Sequence, residues 1–586
     1  MKGPPAPRPK FATLNAALAA AGDDSGLTFV NMRGEEQHLS WREVYRRARR
    51  AASVLLKLGI RRGDRVAVIL PTGPSFVDAF FGALLAGAVP VPLYPPLRLG
   101  RLDEYHSATA RMVKLVGARL VISDSRVRRL LGKAMEASRP DLGCRTADTL
   151  IAETDEAEAQ PHHLALIQFS SGSTVDPKPV ALSQGNLLAQ CAILNSMINA
   201  SATAHEVGVS WLPLYHDMGL IGCLLSAVYY PAQLVLIPPE DFLARPALWL
   251  RAISRHRGTA SAAPSFGYSL CAHRIKDAEL DGVDLSSWRI ALNGAEPVSM
   301  KVMRTFARRF QAWGFNPRVL RPGYGLAEAT LAVTYCVPER PVQALSVDSL
   351  ELARRGQVRS GSFEIASVGP PVPGVEVEIR DQRGHVLPER RAGRIFVRGP
   401  SVMVGYFGNR KATAGTLIEG WLDTGDLGFV EKGELYICGR AKDLVIIRGA
   451  NHQPQEFETC VDSLEGVRTG CVVALGFTPE GADGEELLIL AEHGPRGSSV
   501  NLEERIRTAV LDGTGVRAHT VKILDPGTLP RTSSGKMRRR EALRRFLSDE
   551  LRAPRSVNVL RLAGKLVQSA LAFAKVELSR ESRRSS

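Results

Sequence analysis

Residues 41–96 read WREVYRRARRAASVLLKLGIRRGDRVAVILPTGPSFVDAFFGALLAGAVPVPLYPP, and the change of periodicity along them decides the fold class. In residues 41–60 the apolar side chains recur at helical spacing, and the pattern stops near Gly63. RVAVILP, residues 65–71, is a short β-rich run, and residues 76–96 predict a helix followed by another strand. MVKLVGAR and LVISD then repeat the unit as helix and strand. The alternation resumes downstream: GNLLAQCAILNSMI is helical, VGVSWLP and QLVLIP are strand-like, and ALWLRAISRHR is helical. Strands alternating with helices predict an α/β fold with mainly parallel sheets and helices on both faces.

A chain of 586 residues is too long for one core, so several domains are expected. Hydrophobic residues at 45% and charged residues at 23% describe a folded globular protein, not a disordered one. The eight cysteines show no C-x-x-C and no zinc spacing, which predicts a reducing, cytoplasmic setting without a disulfide framework. MKGPPAPRPKF at the start has no apolar core and excludes a secretory signal. Residues 218–239, MGLIGCLLSAVYYPAQLVLIPP, approach membrane-span length, but Pro231 falls inside them, so a buried helix followed by a buried strand is expected. The formal charge of +15 bears on partners rather than fold. No zinc-finger or RNA-recognition signature accompanies it, so no nucleic acid is expected, and an acidic protein partner or an anionic membrane surface fits instead.

Between Pro338 and about Ser367 the alternation lapses into an irregular polar segment, QALSVDSLELARRGQVRSGSFEIAS. VEVEIRD, GRIFVRG and ELYICGR then form a β-rich part, and from about Asp443 a small α+β unit begins, with VVALGF and LLILAEH as strands. In the tail, VLRLAGKLVQSALAFAKVELSR puts Leu562, Leu566, Ala570 and Ala574 on one face and Arg561, Lys565, Gln568 and Lys575 on another. Two readings of it stay open: a helix packed on its own protein, or a basic amphipathic helix lying on lipid.

The chemistry concentrates in five stretches. Residues 168–180, QFSSGSTVDPKPV, crowd hydroxyls around Gly172 with Lys178 close behind. That composition suits a phosphate cradle, although the Walker spacing is absent, and an ordinary polar turn is the alternative. The others are NGAEP (293–297), RPGYGLAEAT (321–330) with Tyr324 and Glu328 on a glycine-punctuated turn, GWLDTGDLGF (420–429) running on to YICGRAKD, and LPRTSSGK (529–536) with Lys536 exposed on a Ser/Gly loop. Taken singly, each reads as a turn or charged loop.

In this order they resemble the adenylate-forming superfamily of acyl-CoA synthetases, fatty acyl-AMP ligases and adenylation domains, over residues 12–547. VPLYPP at 91–96, WLPLYHDMGLIG at 211–222, YGLAEATL at 324–331 and IIRGANHQPQEFE at 446–458 look like the fatty acyl-AMP ligase branch. The resemblance implies an N-terminal adenylation domain over 1–439, with a β-rich subdomain and an insertion-like segment at 337–367. A hinge at 440–442 would join it to a small mobile C-terminal lid over 443–548, followed by a basic tail over 549–586. It implies ATP-dependent conversion of a fatty acid, of medium or long chain, to an acyl-adenylate with loss of pyrophosphate. The acyl group would then pass to an acyl carrier protein thiol, or to CoA in the nearest alternative. A catalytically silent acyl-nucleotide-binding scaffold is the rival of another class.

The same resemblance assigns roles. Ser170, Ser171, Gly172, Ser173, Thr174 and Lys178 would hold the β- and γ-phosphates of ATP; Val175 and Pro179 depart from the family pattern there. Tyr324, followed by Gly325, would stack on adenine, with Gly294, Ala295 and Glu296 closing the other face. Glu328 would bind Mg²⁺, Asp426 the ribose hydroxyls with Arg440 assisting, and Lys536 would bridge carboxylate and α-phosphate as the catalytic lysine. Lys442 matches the hinge, His216 the acyl-pocket side, and the Arg-rich KMRRREALRR at 536–545 a surface for an acidic carrier. No general base is needed, because a carboxylate nucleophile is already ionised near neutral pH.

Overall fold

The computed structural model describes residues 1–586 except 97–98, 152–162, 171–176, 199–205, 337–339, 448, 463, 480–483, 495–500, 533–534, 555–558 and 585–586, and in the final helix it describes the side chains of 563–576. The expected α/β architecture is present. One sheet of eight strands has the order Ala332–Tyr335, Leu320–Gly325, Ile290–Asn293, Ala260–Ala263, Val207–Ser210, Gln233–Leu236, Gly26–Val30, Glu36–Ser40. Its interior pairs are parallel and only the two outer pairs are antiparallel. A second sheet, Val89–Pro92, Arg65–Ile69, Ala118–Ser123 and Gly143–Thr146, is parallel throughout. Its strand Arg65–Ile69 is covered on both faces, which is why its sequence is a continuous apolar run rather than an alternating one.

The first helix of the opening stretch, Trp41–Lys57, begins where the Ser40 hydroxyl accepts the Glu43 amide. It buries Trp41, Val44, Ala48, Ala51, Ala52 and Leu55 against the helix Pro74–Leu85, whose Phe76, Phe80 and Phe81 are fully buried. Each such aromatic or leucine stabilises the core by about 1.5–3 kcal/mol. Residues 218–229 form a π-helix, Met218–Leu225, continued by the helix Ser226–Tyr229, and the strand Gln233–Leu236 follows as expected. Among the described residues no helix is long and apolar enough to cross a membrane.

A β-rich sheet of Glu376–Arg380, Gly393–Arg398, Trp421–Glu431, Leu417–Ile418 and Glu434–Arg440 follows, and beyond it Val467–Phe477, Glu486–His493 and Thr520–Leu524 form a separate three-stranded sheet. The segment expected to be irregular is not. Ala344–Val347 pairs with Phe363–Ala366 around the helix Ser349–Arg355. Val347, Leu352, Val358 and Ile365 face inward onto Phe429, Tyr436 and Cys438, with Leu345 and Phe363 packed beside them, so the sequence reads as polar while one thin face folds.

The tail helix, Val559–Arg584, packs on its own protein. Ser569 Oγ accepts the Gly132 amide at 2.8 Å, Lys565 pairs with Asp103 at 2.6 Å, Lys575 with Glu136 at 3.4 Å, and the Arg128 guanidinium lies 4.6 Å from the Phe573 ring centre. The expected apolar face needs correction: Ala570 and Ala574 point outward, while Ser569, Ala572 and Val576 are buried. Close approach selects that face, since a Cβ on Gly132 would lie 2.0 Å from the Ser569 carbonyl oxygen.

Candidate active site

Tyr324 lies on the strand Leu320–Gly325, not on a turn as its glycines suggested, and Glu328 follows in the short 3-10 turn Ala327–Ala329. Gly325 makes this possible, because any Cβ there would sit 1.8 Å from the Leu331 carbonyl oxygen. Asp426 and Arg440 face each other across the paired strands Trp421–Glu431 and Glu434–Arg440. Tyr324 donates its hydroxyl to Asp426 Oδ2 at 2.7 Å, and Arg440 Nε donates to Oδ1 at 3.1 Å. Asp426 is 6% exposed, and burial pushes its carboxyl above the usual range against the pull of Arg440 and the Tyr324 hydroxyl. The result is a fixed acidic acceptor beside an aromatic ring.

The NGAEP turn follows the strand Ile290–Asn293, and Ala295 in it adopts φ +70°. Glu296 accepts the Phe266 amide at 2.7 Å, which ties the turn to the helix Ser265–Arg274. Burial raises the Glu296 carboxyl, and the Phe266 amide and the Lys536 charge oppose it.

On the other side, Ser170 donates its amide to the Lys178 carbonyl at 2.9 Å, closing the hairpin between Leu164–Phe169 and Pro179–Ser183. Ser171, Gly172, Ser173, Thr174 and Val175 lie outside the described residues. Pro179 opens its strand and still accepts the Phe407 amide at 2.8 Å, so the missing N–H breaks no ladder. The Lys178 ammonium sits 4.5 Å from the Tyr406 ring centre, and the Tyr406 hydroxyl donates to Glu328 Oε1 at 3.0 Å. Burial raises the Glu328 carboxyl, opposed by its own backbone, Tyr406, Arg440 and Lys178.

Lys536 is not exposed, as its Ser/Gly loop suggested. Its turn is closed by the Arg531–Met537 bridge and by Thr532, whose amide donates to the Lys536 carbonyl at 2.8 Å and whose Oγ1 accepts the Lys536 amide at 3.0 Å. The side chain turns into the cleft, where burial and the Arg440 charge lower its pKa and Asp217, Glu296 and Asp426 oppose the shift. The C-terminal segments are held there by Arg101 Nη2, which donates to the Thr528 carbonyl at 3.0 Å, and by Arg545 paired with Glu104 at 2.8 Å. His216 lies beside Lys536 and Asp217, and burial pushes it down to about 4, so it is neutral at pH 7. Lys442 is exposed, after the strand Glu434–Arg440, while the next turn is held by the Asp443 amide on the Arg440 carbonyl.

Tyr406 and Asp217 were not anticipated. Tyr406 arrives through the two-residue strand Gly405–Tyr406, too short for any periodicity to mark. Asp217 stands next to His216 in the quoted stretch and also accepts the Met218 amide at the start of the π-helix. The expected basic surface at 536–545 is largely spent within the protein: Arg539 pairs with Glu458, Arg544 with Glu541 and Glu550, and Arg545 with Glu541 and Glu104.

A buried acceptor beside a tyrosine, a lysine and a carboxylate seated on one aromatic ring, and a second lysine brought in from the C-terminal segments together form one charged cleft. The AMP-binding enzyme family matches residues 17–407, and the chain belongs to it. A putative acyl-CoA synthetase of Caulobacter vibrioides is 36% identical over 555 residues, covering 92% of this chain and 96% of its own. The medium-chain-fatty-acid–[acyl-carrier-protein] ligase JamA of Moorena producens is 33% identical over 547 residues, covering 88% of this chain and 91% of its own. A solved structure from studies of the fatty acyl-adenylate ligases of E. coli and L. pneumophila superposes with a TM-score of 0.85 at 34% identity, covering 93% of this chain and 99% of that one. The chain is an adenylate-forming ligase that uses ATP.

Proposed function

We propose that the chain joins a fatty acid of medium or long chain to ATP and hands the acyl group to the phosphopantetheine thiol of an acyl carrier protein. A carboxylate oxygen attacks the α-phosphorus, the bond to pyrophosphate breaks, and an acyl-adenylate remains. The thiol sulfur then displaces AMP at the acyl carbon. The observation that carries the reading is the convergence of Lys536, Asp426, Tyr324, Lys178 and Glu328 from four distant segments on one cleft. With both reactants anionic, alignment and charge balance supply the catalysis.

In this reading Lys536 bridges the carboxylate and the α-phosphate, and Asp426 accepts the ribose hydroxyls with Arg440 behind it. Tyr324 stacks on adenine against residues 294–296, while Ser170 to Thr174 and Lys178 take the leaving pyrophosphate. His216, neutral, lines the acyl side. Among the described residues no cluster of three or more His, Cys, Asp or Glu side chains could hold a metal. A single carboxylate, Glu328, fits a Mg²⁺ ion that arrives with the triphosphate and takes its remaining ligands from phosphate and water. When bound, that ion would neutralise charge on the phosphates.

Residues 440–442 serve as the hinge between an adenylation domain over 1–439 and a lid over 443–548. The eight cysteines are all unpaired, which suits a reducing cytoplasm. The inward face of the tail is occupied by residues 103–136, which favours the intramolecular reading of that helix over a lipid one.

The relative named as an acyl-CoA synthetase keeps CoA as the second reading; the relative named as a carrier-protein ligase favours the first. Offering CoA and holo-carrier protein separately to enzyme loaded with acyl-adenylate decides between them. Efficient thioester formation on CoA overturns the carrier assignment. A protein without fatty-acid-dependent ATP–pyrophosphate exchange would be a silent scaffold.

A further inference from the structure

We infer that Tyr406 is a positioning residue that holds the Lys178 ammonium and the Glu328 carboxylate apart and in place, an inference that rests on the phosphate and cation roles proposed above for that pair. A lysine and a glutamate that share a half-buried cleft attract one another strongly, because the local dielectric is low. Left alone they would collapse into an ion pair, and neither charge would remain for a ligand. Tyr406 gives each a different seat. The ammonium rests over the ring face, 4.5 Å from its centre, where the electron-rich face of the π-system attracts a cation. The carboxylate receives the phenolic hydroxyl at the ring's rim, 3.0 Å from Oε1.

The backbone around Tyr406 shows that this is a built arrangement. Two residues earlier than its strand, the Met403 amide donates to the Glu328 carbonyl at 2.8 Å. One residue after it, the Phe407 amide donates to the carbonyl of Pro179, the neighbour of Lys178, at 2.8 Å. Tyr406 itself pairs with Val180 across the strands and donates its amide to Thr413 Oγ1 at 2.9 Å. Residues 403–407 therefore clamp the Lys178 and Glu328 segments together, with the Tyr406 side chain, 6% exposed, between them. A hydrogen bond donated to a carboxylate is of the stronger, charge-assisted kind and fixes the direction of the remaining lone pairs.

The test measures ATP–pyrophosphate exchange by the full chain across Mg²⁺ concentrations, together with Mn²⁺ binding in the presence of ATP by electron paramagnetic resonance. Tyr406→Phe keeps the ring and removes the hydroxyl. It is expected to raise the Mg²⁺ concentration for half-maximal rate, and to weaken Mn²⁺ binding, by about tenfold, while the KM for ATP at saturating Mg²⁺ moves less than about threefold. Tyr406→Leu removes both seats and is expected to raise that KM by about tenfold as well. A Tyr406→Phe protein whose metal midpoint and Mn²⁺ affinity both stay within about twofold of the parent overturns the inference, whether or not the leucine variant folds. Glu328→Gln, run alongside, separates the two layers. If it leaves the metal dependence unchanged, the cation role of Glu328 falls and the inference with it; if it shifts the midpoint while Tyr406→Phe does not, only Tyr406 loses its role.

Discussion

The two sides of the cleft are made differently. Tyr324, Asp426 and Arg440 stand on paired strands, and Asp426 is fixed by two hydrogen bonds and by its register opposite Arg440. Lys536 stands on a short turn beside an isolated bridge, and reaches the cleft because Arg101 and Glu104 hold the C-terminal segments near it. One side is preorganised by its sheet; the other is delivered. In the proposed reaction, groups that must already be aimed when charge develops would belong on rigid elements, and a group that leaves for the second half-reaction on a movable one.

The contrast breaks most sharply at the delivered side. Lys536→Ala is expected to lower fatty-acid-dependent ATP–pyrophosphate exchange by about 10²–10³-fold while nucleotide binding, measured by calorimetry, changes little. A large loss of nucleotide affinity would instead put the lysine among the fixed binding groups. On the preorganised side, Asp426→Asn keeps the shape and removes the charge, and should cost about 10- to 100-fold in kcat/KM for ATP, read from exchange kinetics.

The pH dependence sharpens the picture further. Burial lowers the Lys536 pKa from its usual value near 10.5, and only the protonated ammonium can bridge two anions. As pH rises through that lowered value the charge is lost, so kcat/KM for ATP should fall on an alkaline limb below the ordinary lysine range. Lys536→Arg, which does not titrate there, should abolish that limb even if its rate is low. The smallest effect belongs to the tail: Lys565→Ala removes an ion pair with an exposed partner and should cost about 0–1 kcal/mol, a barely measurable change in Tm.

The sequence made the parallel sheets legible because strands buried on both faces leave continuous apolar runs such as Val66–Leu70. The cleft residues were legible only through their order along the chain, since GYG, TGD and SSGK each read singly as ordinary turns. Tyr406 was hidden because a two-residue strand has no period, and its partners come from far along the chain, Lys178 by strand pairing across more than two hundred positions and Glu328 by a hydrogen bond across 78. The Lys536 loop looked solvated because its polar neighbours are read locally, whereas the charges it meets, Asp217, Glu296 and Asp426, come from distant segments. The tail face was misread for a related reason. Hydrophobicity alone favoured alanines, but a bare glycine surface at Gly132 selected the face that could come closest.

The chain enters the C-terminal sheet from residues next to Arg440 and leaves it for a helix moored at Asp103 and Glu136. A unit fastened at both ends behaves like a drawbridge on chains rather than a door on one pin. In the proposed lid motion residues 443–548 would carry two moorings, one beside Arg440 and one at Asp103 and Glu136, and releasing the second would widen the opening of the cleft.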